Sequence, residues 1–240
     1  MDEDAYEQHY RQEDEHWWFR GRREVIWALL RRAGLPESPR LLDAGCGTGR
    51  NLVEFGRLGT AQGIDASTQA VDFCHRRGLD NVTEARIEEL PFPDDSFDVM
   101  LACDVIEHVP DDAPALTELR RVGAPGGLLL LTVPAYRWMW SAHDVYMHHY
   151  RRYTLGRLRD RVRAAGWEPV VDSYFMTAIL PIASGVRLAW RATGREPASD
   201  VDRTPPWLNR VLLTPVRGEA AAIARGVHLP AGVSVGMVCR

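Results

Sequence analysis

The sequence of 240 residues predicts an α/β fold, in which helices cover both faces of a mostly parallel sheet. Short apolar segments typical of buried strands alternate with longer segments of helical periodicity. A glycine-rich turn at 45–49 directly follows the first apolar segment, which ends in Leu41 and Leu42. The second apolar segment ends in a carboxylate, Asp65. A nucleoside-binding unit typically has a glycine-rich turn after its first strand and a carboxylate at the end of its second strand.

The remaining elements follow in order along the chain. A helix is expected over 22–33, because Gly34 and Pro36 end its apolar periodicity. Strands are predicted near 40–44, 61–65, 82–85, 98–104, 127–133, 169–173 and 233–239. Helices are predicted near 49–58, 67–77, 112–122, 155–165 and 207–225. Such alternation predicts successive parallel strands joined by helices.

Three segments extend this minimal pattern within what we expect to be one domain, 1–240. Residues 1–36 would form an N-terminal helical cap, 134–153 a long loop, and 174–230 a helical insertion before the last strand. A proline-containing loop is expected at 195–206. Ligands of open α/β sheets bind at the carboxyl ends of the strands, so we expect these segments to build an acceptor pocket there.

Composition excludes several classes of protein. The net charge of -4 argues against a nucleic-acid partner held by phosphate contacts. The four cysteines form no C-x-x-C pair, which argues against a zinc knuckle and suits a reducing cytoplasm. We expect no signal peptide and no transmembrane segment. The apolar stretch 178–190 with its arginines could touch a membrane surface or a lipid-like acceptor, although buried packing is the commoner explanation.

The spacing Asp43-x-Gly45-x-Gly47-x-Gly49 resembles motif I of the class I S-adenosylmethionine-dependent methyltransferases. The segments 88–98, 104–109 and 119–128 resemble later motifs of that family, in its order. Arg50 stands where a dinucleotide fingerprint would have its third glycine, which disfavours a nicotinamide enzyme. The chain resembles bacterial small-molecule or glycan-type members of the family, which have a methyltransferase domain 11-like core. This resemblance implies a seven-stranded Rossmann-like sheet with an antiparallel last strand.

The same resemblance implies S-adenosyl-L-methionine as cofactor and S-adenosyl-L-homocysteine as product. Asp65 would accept the ribose hydroxyls, and Asp43 would orient the loop or face the methionine amino group. Many relatives have an acidic residue where Arg86 stands, so backbone groups or Glu88 would hold the adenine instead. The cofactor residues implied are Asp43, Gly45, Cys46, Gly47, Gly49, Asp65, Ala66, Ile87, Glu88, Cys103, Asp104 and His108.

The acceptor side is predicted from an aromatic and basic cluster at 135–153. His143 with Asp144 could form a general base and its orienting carboxylate, with His108 and Asp104 as the other catalytic candidates. The residues expected to bind the acceptor are Trp17, Trp18, Tyr136, His143, Asp144, His148, Arg151 and Arg152. The segment 15–20 resembles a motif of bacterial methyltransferases in polysaccharide, lipid-linked sugar or secondary-metabolite biosynthesis, and could form a lid.

The spacing Asp104-x-x-Glu107-His108 also resembles the carboxylate–histidine cluster of quinone O-methyltransferases that use a divalent ion. Because similar pairs occur in members without a metal, a divalent metal is possible but not favoured.

The expected activity is methyl transfer to an O or N atom of a small-molecule or glycan-like acceptor, by in-line displacement with help from a base. One alternative is an acceptor-free intramolecular displacement that releases methylthioadenosine. Another is a non-catalytic scaffold that only binds the cofactor. The sequence specifies neither the acceptor nor the oligomeric state.

Overall fold

The computed structural model describes residues 3–193 and 204–240, and its centre is a seven-stranded sheet. The strands are β1 (Arg40–Ala44), β2 (Thr60–Asp65), β3 (Val82–Glu84), β4 (Phe97–Cys103), β5 (Gly123–Pro134), β6 (Pro169–Phe175) and β7 (Ser234–Cys239). Their order is β3-β2-β1-β4-β5-β7-β6, and only β7 runs antiparallel to its neighbours. The predicted fold class is therefore confirmed, including the antiparallel last strand.

Helices in the described residues lie on both faces of this sheet. They are α1 (Glu3–Gln12), α2 (Trp17–Ala33), α3 (Arg50–Phe55), α4 (Thr68–Arg76), α5 (Asp112–Val122), α6 (Ala142–Tyr146), α7 (Leu155–Ala164), α8 (Leu180–Thr193) and α9 (Pro206–Ala224). Residues 1–36 were expected to form a helical cap, but a separate helix α1 within it was not predicted. Helix α2 begins five residues before its predicted start because the His16 side chain caps it. The predicted loop 195–206 lies mostly outside the described residues.

Local sequence signals explain the boundaries of several helices. Ser67, Asp111 and Thr154 each accept a hydrogen bond from a backbone N–H in the first turn of α4, α5 and α7. Gly34 ends α2 in the left-handed conformation that glycine tolerates best. The first three caps lie in the connections that leave the carboxyl ends of β2, β4 and β5.

Each face of the sheet has its own hydrophobic core. Leu29 of α2 and Val216 of α9 belong to the core on one face, while Leu116 of α5 and Leu158 of α7 belong to the other. Helix α2 packs closely on α9 at Gly21, which has no side chain. A Cβ atom there would lie only 2.8 Å from the Val216 side chain. The N-terminal cap and the insertion before β7 therefore support each other.

The topology creates a crevice at the carboxyl end of β1. From β1 the chain continues to β2 and β3 on one side, and it then returns to β4 on the other side. This reversal leaves room between the turns that follow β1 and β4, which is where open α/β sheets bind ligands.

Candidate cofactor and acceptor site

The turn between β1 and α3 contains the three glycines of the sequence pattern. Gly45, Gly47 and Gly49 have φ angles of +79°, +54° and +85°, which residues with a side chain rarely adopt. A Cβ atom at Gly45 would lie 2.5 Å from the Val105 side chain, whereas one at Gly47 would meet no atom within 4 Å. Because Gly47 lines the main cavity, its bare backbone leaves space there for a ligand.

Asp65 at the end of β2 lies beside this turn and is 8% exposed. It accepts hydrogen bonds from the backbone N–H groups of Gly47 (2.9 Å) and Ser67 (3.0 Å), and from the Tyr6 hydroxyl at 3.5 Å. Burial raises the pKa of Asp65, and the two backbone hydrogen bonds oppose this rise. The carboxylate lines the cavity, so ligand hydroxyls could replace the long contact with Tyr6.

Asp43 near the end of β1 is a second buried carboxylate. Neither of its oxygens has a hydrogen-bond partner among the described residues. Burial raises the pKa of Asp43 to about 7, and the charge of Arg22 opposes the rise. A buried carboxylate without a partner is rare in folded proteins, and a cationic ligand group nearby would stabilise its charged form.

The wall beyond β3 contains the segment that is expected to hold the adenine. Ala85, Ile87 and Glu88 line the cavity there. The Glu88 carboxylate forms an ion pair of 2.7 Å with Arg86, the residue that stands in place of the expected acid. Arg86 thus orients this carboxylate, whose oxygens can still accept hydrogen bonds.

Arg22 of α2 also lines the cavity and was not predicted from sequence. Its guanidinium pairs with the carboxylate of Asp104 after β4, and it lies 4.8 Å from the centre of the Trp18 ring. Asp104 has a φ of +57°, in the left-handed region that aspartate adopts more readily than most residues with a side chain. Arg22 offers a fixed cation for a ligand carboxylate, and its pairing with Asp104 disfavours the predicted use of that residue as a base. Arg22 is one of five arginines within 20–32, so no local signal distinguishes it.

Helix α1 and the residue after it cover the cavity with Tyr6, His9 and Glu13. Glu13 accepts a hydrogen bond from the Thr48 hydroxyl and pairs with Arg77, whose Nε donates to the Thr48 carbonyl at 2.7 Å. These contacts hold α1 against the glycine turn. The spacing of Tyr6, His9 and Glu13 at i, i+3 and i+7 was a helical signal that could have revealed the cover.

The other end of the cavity is rich in histidine. His108, His143 and His149 line it, together with Glu107 and Arg152. The ring centres of His108 and His149 lie 4.5 Å apart, and those of His143 and His149 lie 6.3 Å apart. Burial lowers the pKa of His108 to about 3, so its imidazole is neutral at physiological pH.

Asp144 does not line the cavity, but it holds two residues that do. The carboxylate is fully buried and accepts hydrogen bonds from Arg152 Nε at 2.7 Å and Nη2 at 2.9 Å. It also lies 2.9 Å from His149 Nδ1 and accepts a hydrogen bond from the Ser141 backbone N–H at 2.8 Å. Asp144 therefore orients His149 and holds Arg152, whereas sequence had paired it with His143.

The cavity thus separates the predicted residues into two groups. Those that line it are Trp17, Trp18, Gly45, Cys46, Gly47, Asp65, Ala66, Ile87, Glu88, Cys103, Asp104, His108, His143 and Arg152. Those that do not line it are Asp43, Gly49, Tyr136, Asp144, His148 and Arg151.

Local contacts account for three of the residues outside the cavity. Tyr136 stacks on Tyr174 with ring centres 5.2 Å apart, and Arg151 donates to the Pro110 carbonyl. His148 is exposed on the surface. We therefore no longer assign these three to direct acceptor binding.

An apolar wall completes the cavity, whose volume is about 670 Å³. This size suits a drug-sized or cofactor-sized ligand. The wall comes from α8 and α9, and its residues are Ile179, Ile182, Ala183, Val186, Trp190 and Leu212. Ile182 is nevertheless 61% exposed, so the wall extends to the protein surface. Within 3–193 and 204–240, none of the helices combines the length and the apolar character needed to span a bilayer.

Comparisons with known proteins match this chain to methyltransferases. Residues 42–131 match the family model described as "Methyltransferase domain". A probable S-adenosylmethionine-dependent methyltransferase of Mycolicibacterium smegmatis is 32% identical over 162 residues, which cover 65% of this chain and 61% of the relative. An uncharacterized methyltransferase of Mycobacterium avium is 32% identical over 203 residues, which cover 79% of this chain and 77% of the relative.

A solved structure from Thermotoga maritima, described as an S-adenosylmethionine-dependent methyltransferase and possible histamine N-methyltransferase, has the same fold. The TM-score is 0.61 at 20% identity, with 98% of this chain and 94% of that chain covered. This chain spans less than two thirds of the M. smegmatis relative.

The fold and the glycine turn define a nucleoside-binding α/β protein of the methyltransferase type. The chain belongs to the class I S-adenosylmethionine-dependent methyltransferases. Its cofactor is therefore S-adenosylmethionine. The residues present fit that group, because Gly47 presents bare backbone to the cavity and Asp65 presents a buried carboxylate.

Alanine substitutions in the glycine turn should separate folding from cofactor binding. Gly47→Ala should cost about 1–2 kcal/mol for the left-handed backbone, and should weaken S-adenosylhomocysteine binding at least tenfold, since its methyl group enters the cavity. Gly45→Ala should cost roughly 1–3 kcal/mol more, because its Cβ clashes with Val105. Thermal unfolding and calorimetric titration measure the two effects.

Gly126→Ala is the matched control, because Gly126 also has a positive φ and a Cβ there would meet no atom within 4 Å. It should lose similar stability and keep full affinity. Wild-type affinity in Gly47→Ala would contradict the placement of the cofactor against Gly47.

Proposed function

We propose that this protein transfers a methyl group from S-adenosylmethionine to an O or N atom of a small-molecule or glycan-like acceptor. The observation that carries this proposal is the single cavity that joins the glycine turn to His108 and His143. Methyl displacement needs donor and acceptor held in one line with water excluded. A continuous cavity with a cofactor end and an imidazole end meets that requirement.

The cofactor end offers a residue for each part of the molecule. Asp65 would hold the ribose, and Ala66, Ile87 and Glu88 would surround the adenine. Arg22 would bind the methionine carboxylate, since a guanidinium suits a carboxylate in a bidentate pair. When bound, the cofactor supplies an activated methyl group and its own leaving group. The protein's task is then to orient the acceptor and take up its proton.

His143 is the best-placed base in this proposal. It lines the acceptor end, whereas Asp104, the carboxylate among the catalytic candidates, is paired with Arg22. A neutral imidazole can take the proton of a hydroxyl acceptor as the new bond to the methyl carbon forms, or it can deprotonate an ammonium acceptor before the nitrogen attacks. The side chain thus supports an acceptor that must lose a proton.

Replacing His143 with alanine should lower kcat about 100-fold or more, which is the usual contribution of a general base. The dissociation constant for S-adenosylmethionine should change less than about threefold, because removing a proton acceptor acts on the transition state and not on the ground state. Turnover and equilibrium titration measure the two quantities. His75→Ala, on the exposed end of α4, serves as the control. Unchanged turnover in His143→Ala would remove this residue from the proposed mechanism.

The apolar wall on α8 and α9 favours an acceptor with an apolar portion beside its methyl-accepting group. Ile179, Val186 and Leu212 would contact that portion, while the histidines would face the reacting atom. The half-open wall at Ile182 also allows the acceptor to extend beyond the cavity.

The decisive experiment offers metabolite extracts to the protein with methyl-labelled S-adenosylmethionine. A labelled product together with S-adenosylhomocysteine supports the proposal and identifies the acceptor by mass spectrometry. Release of methylthioadenosine without an acceptor would replace it with an intramolecular displacement. Cofactor binding without turnover in any extract would replace it with a scaffold role.

A further inference from the structure

Glu107 is a buried carboxylate that the proposed methyl transfer does not use. It is fully buried, and neither of its oxygens has a hydrogen-bond partner in the described part of the chain. It nevertheless lines the cavity. Buried carboxylates normally bind a hydrogen-bond donor or a cation. We therefore expect the partner of Glu107 to be a ligand or an ion that enters the cavity.

Two imidazoles stand next to it. One ligand atom from each of Glu107, His108 and His149 can be chosen so that all three lie within 4.8 Å of one another. The three residues come from two segments of the chain, since Glu107 and His108 follow β4 and His149 follows α6. Their donor atoms therefore converge only in the folded protein.

Each imidazole already uses one nitrogen in a way that suits a metal ligand. His149 Nδ1 lies 2.9 Å from the Asp144 carboxylate, which Arg152 holds in place. The His108 ring makes a hydrogen bond with the Met147 backbone. Metal-binding histidines typically donate one ring N–H to a carboxylate or a carbonyl, which leaves the other nitrogen for the ion.

The ligand set differs from the Asp104-x-x-Glu107-His108 spacing in the sequence. Asp104 forms an ion pair with Arg22, so its charge is already compensated. His149 takes its place as the third ligand. Two imidazole nitrogens and one carboxylate oxygen suit Zn²⁺, Mn²⁺, Fe²⁺ or Co²⁺ better than Mg²⁺ or Ca²⁺, which prefer oxygen alone.

We propose that Glu107, His108 and His149 form a binding site for one divalent transition-metal ion, with open coordination positions towards the cavity. The proposal that these residues bind an ion does not depend on the proposed methyl transfer. The further role of the ion, to orient an acceptor atom beside the methyl donor, rests on the function proposed above. A metal in this position would polarise the acceptor and assist loss of its proton.

The test begins with tag-free full-length protein that has been stripped with a chelator and dialysed. We expect Co²⁺ titration to give d–d absorption bands with a one-to-one end point, and Zn²⁺ and Mn²⁺ to compete. Glu107→Gln and His149→Ala should each weaken Co²⁺ binding at least tenfold, whereas His75→Ala should leave it unchanged. A stoichiometric site that is insensitive to the first two variants, or no site at all, would overturn the proposal.

Crystals of wild-type protein soaked in Mn²⁺ or Zn²⁺ provide a test that needs no variant. We expect anomalous difference density between the three side chains. Its absence after soaking at a saturating metal concentration would also overturn the proposed site. Methyl transfer and S-adenosylhomocysteine binding by the stripped protein separate the two proposals. Transfer without any metal binding would leave the methyltransferase function intact, and metal binding without transfer would leave the ion site intact.

Discussion

Replacing Asp65 with alanine should weaken S-adenosylhomocysteine binding by about 100-fold or more. A hydrogen bond to a charged group contributes about 1.5–3 kcal/mol, and the ribose offers two hydroxyls to this carboxylate. Asp65 is the acid at the end of β2 that lines the cavity beside Gly47. Calorimetric titration of wild type and variant under identical conditions measures the loss.

Two further variants distinguish loss of the ribose contact from damage to the turn. Asp65→Asn keeps an oxygen that can accept the Gly47 N–H, so it should retain the fold and still lose most of the affinity. Asp72→Ala, on the exposed side of α4, should bind like wild type. If Asp65→Ala binds within threefold of wild type while it is folded, the assignment of the ribose to this residue is wrong.

Replacing Asp144 with alanine should destabilise the protein by about 3–5 kcal/mol, because Arg152 is then left as a buried charge without its partner. The pair is buried on both sides, with side-chain exposures of 5% for Arg152 and 0% for Asp144. For a chain of this size the melting temperature should fall by roughly 10 °C. Differential scanning calorimetry measures this change, and Asp160→Ala on the exposed side of α7 provides the control.

The same pair predicts a dependence on pH. Burial alone would raise the pKa of Asp144, but hydrogen bonds from His149 and Arg152 outweigh it and hold this pKa well below its usual range. A depressed pKa in the folded state stabilises the protein above the unfolded pKa of about 4 and loses this effect as the pH falls further. The stability difference between wild type and Asp144→Ala should therefore be constant near neutrality and shrink in acid. A difference that is small at pH 7 would show that Arg152 finds another partner.

Most residues predicted for the cofactor side line the cavity, because their positions depend on short stretches of chain. The left-handed turn at Gly45, Gly47 and Gly49 follows from residue type, since other residues rarely adopt those angles. Asp65 lies at the cavity because it ends a buried parallel strand next to β1. The two errors of omission, α1 and Arg22, concern side chains that reach the site from the distant N-terminal segment.

The acceptor side was predicted less well because 135–153 has no simple periodicity. Sequence favoured His143 as the base because Asp144 follows it, and assigned His148 to acceptor binding without selecting His149. In the structure two of these three histidines line the cavity, and His148 is exposed. Asp144 and Arg152 were expected to contact the acceptor, but their charges compensate each other inside the protein.

The sequence by itself determined the order along the chain of the seven strands and of helices α2, α3, α4, α5, α7 and α9, the glycine turn after β1 and the carboxylate at the end of β2. Hydrophobic periodicity and glycine's freedom at positive φ act within a few residues, so a linear pattern records them. Only the tertiary structure decided which histidines meet Glu107, which carboxylate orients His149 and how α1 closes over the turn. Those outcomes depend on packing and on the pairing of buried charges between segments as distant as Arg22 and Asp104, or Glu13 and Arg77.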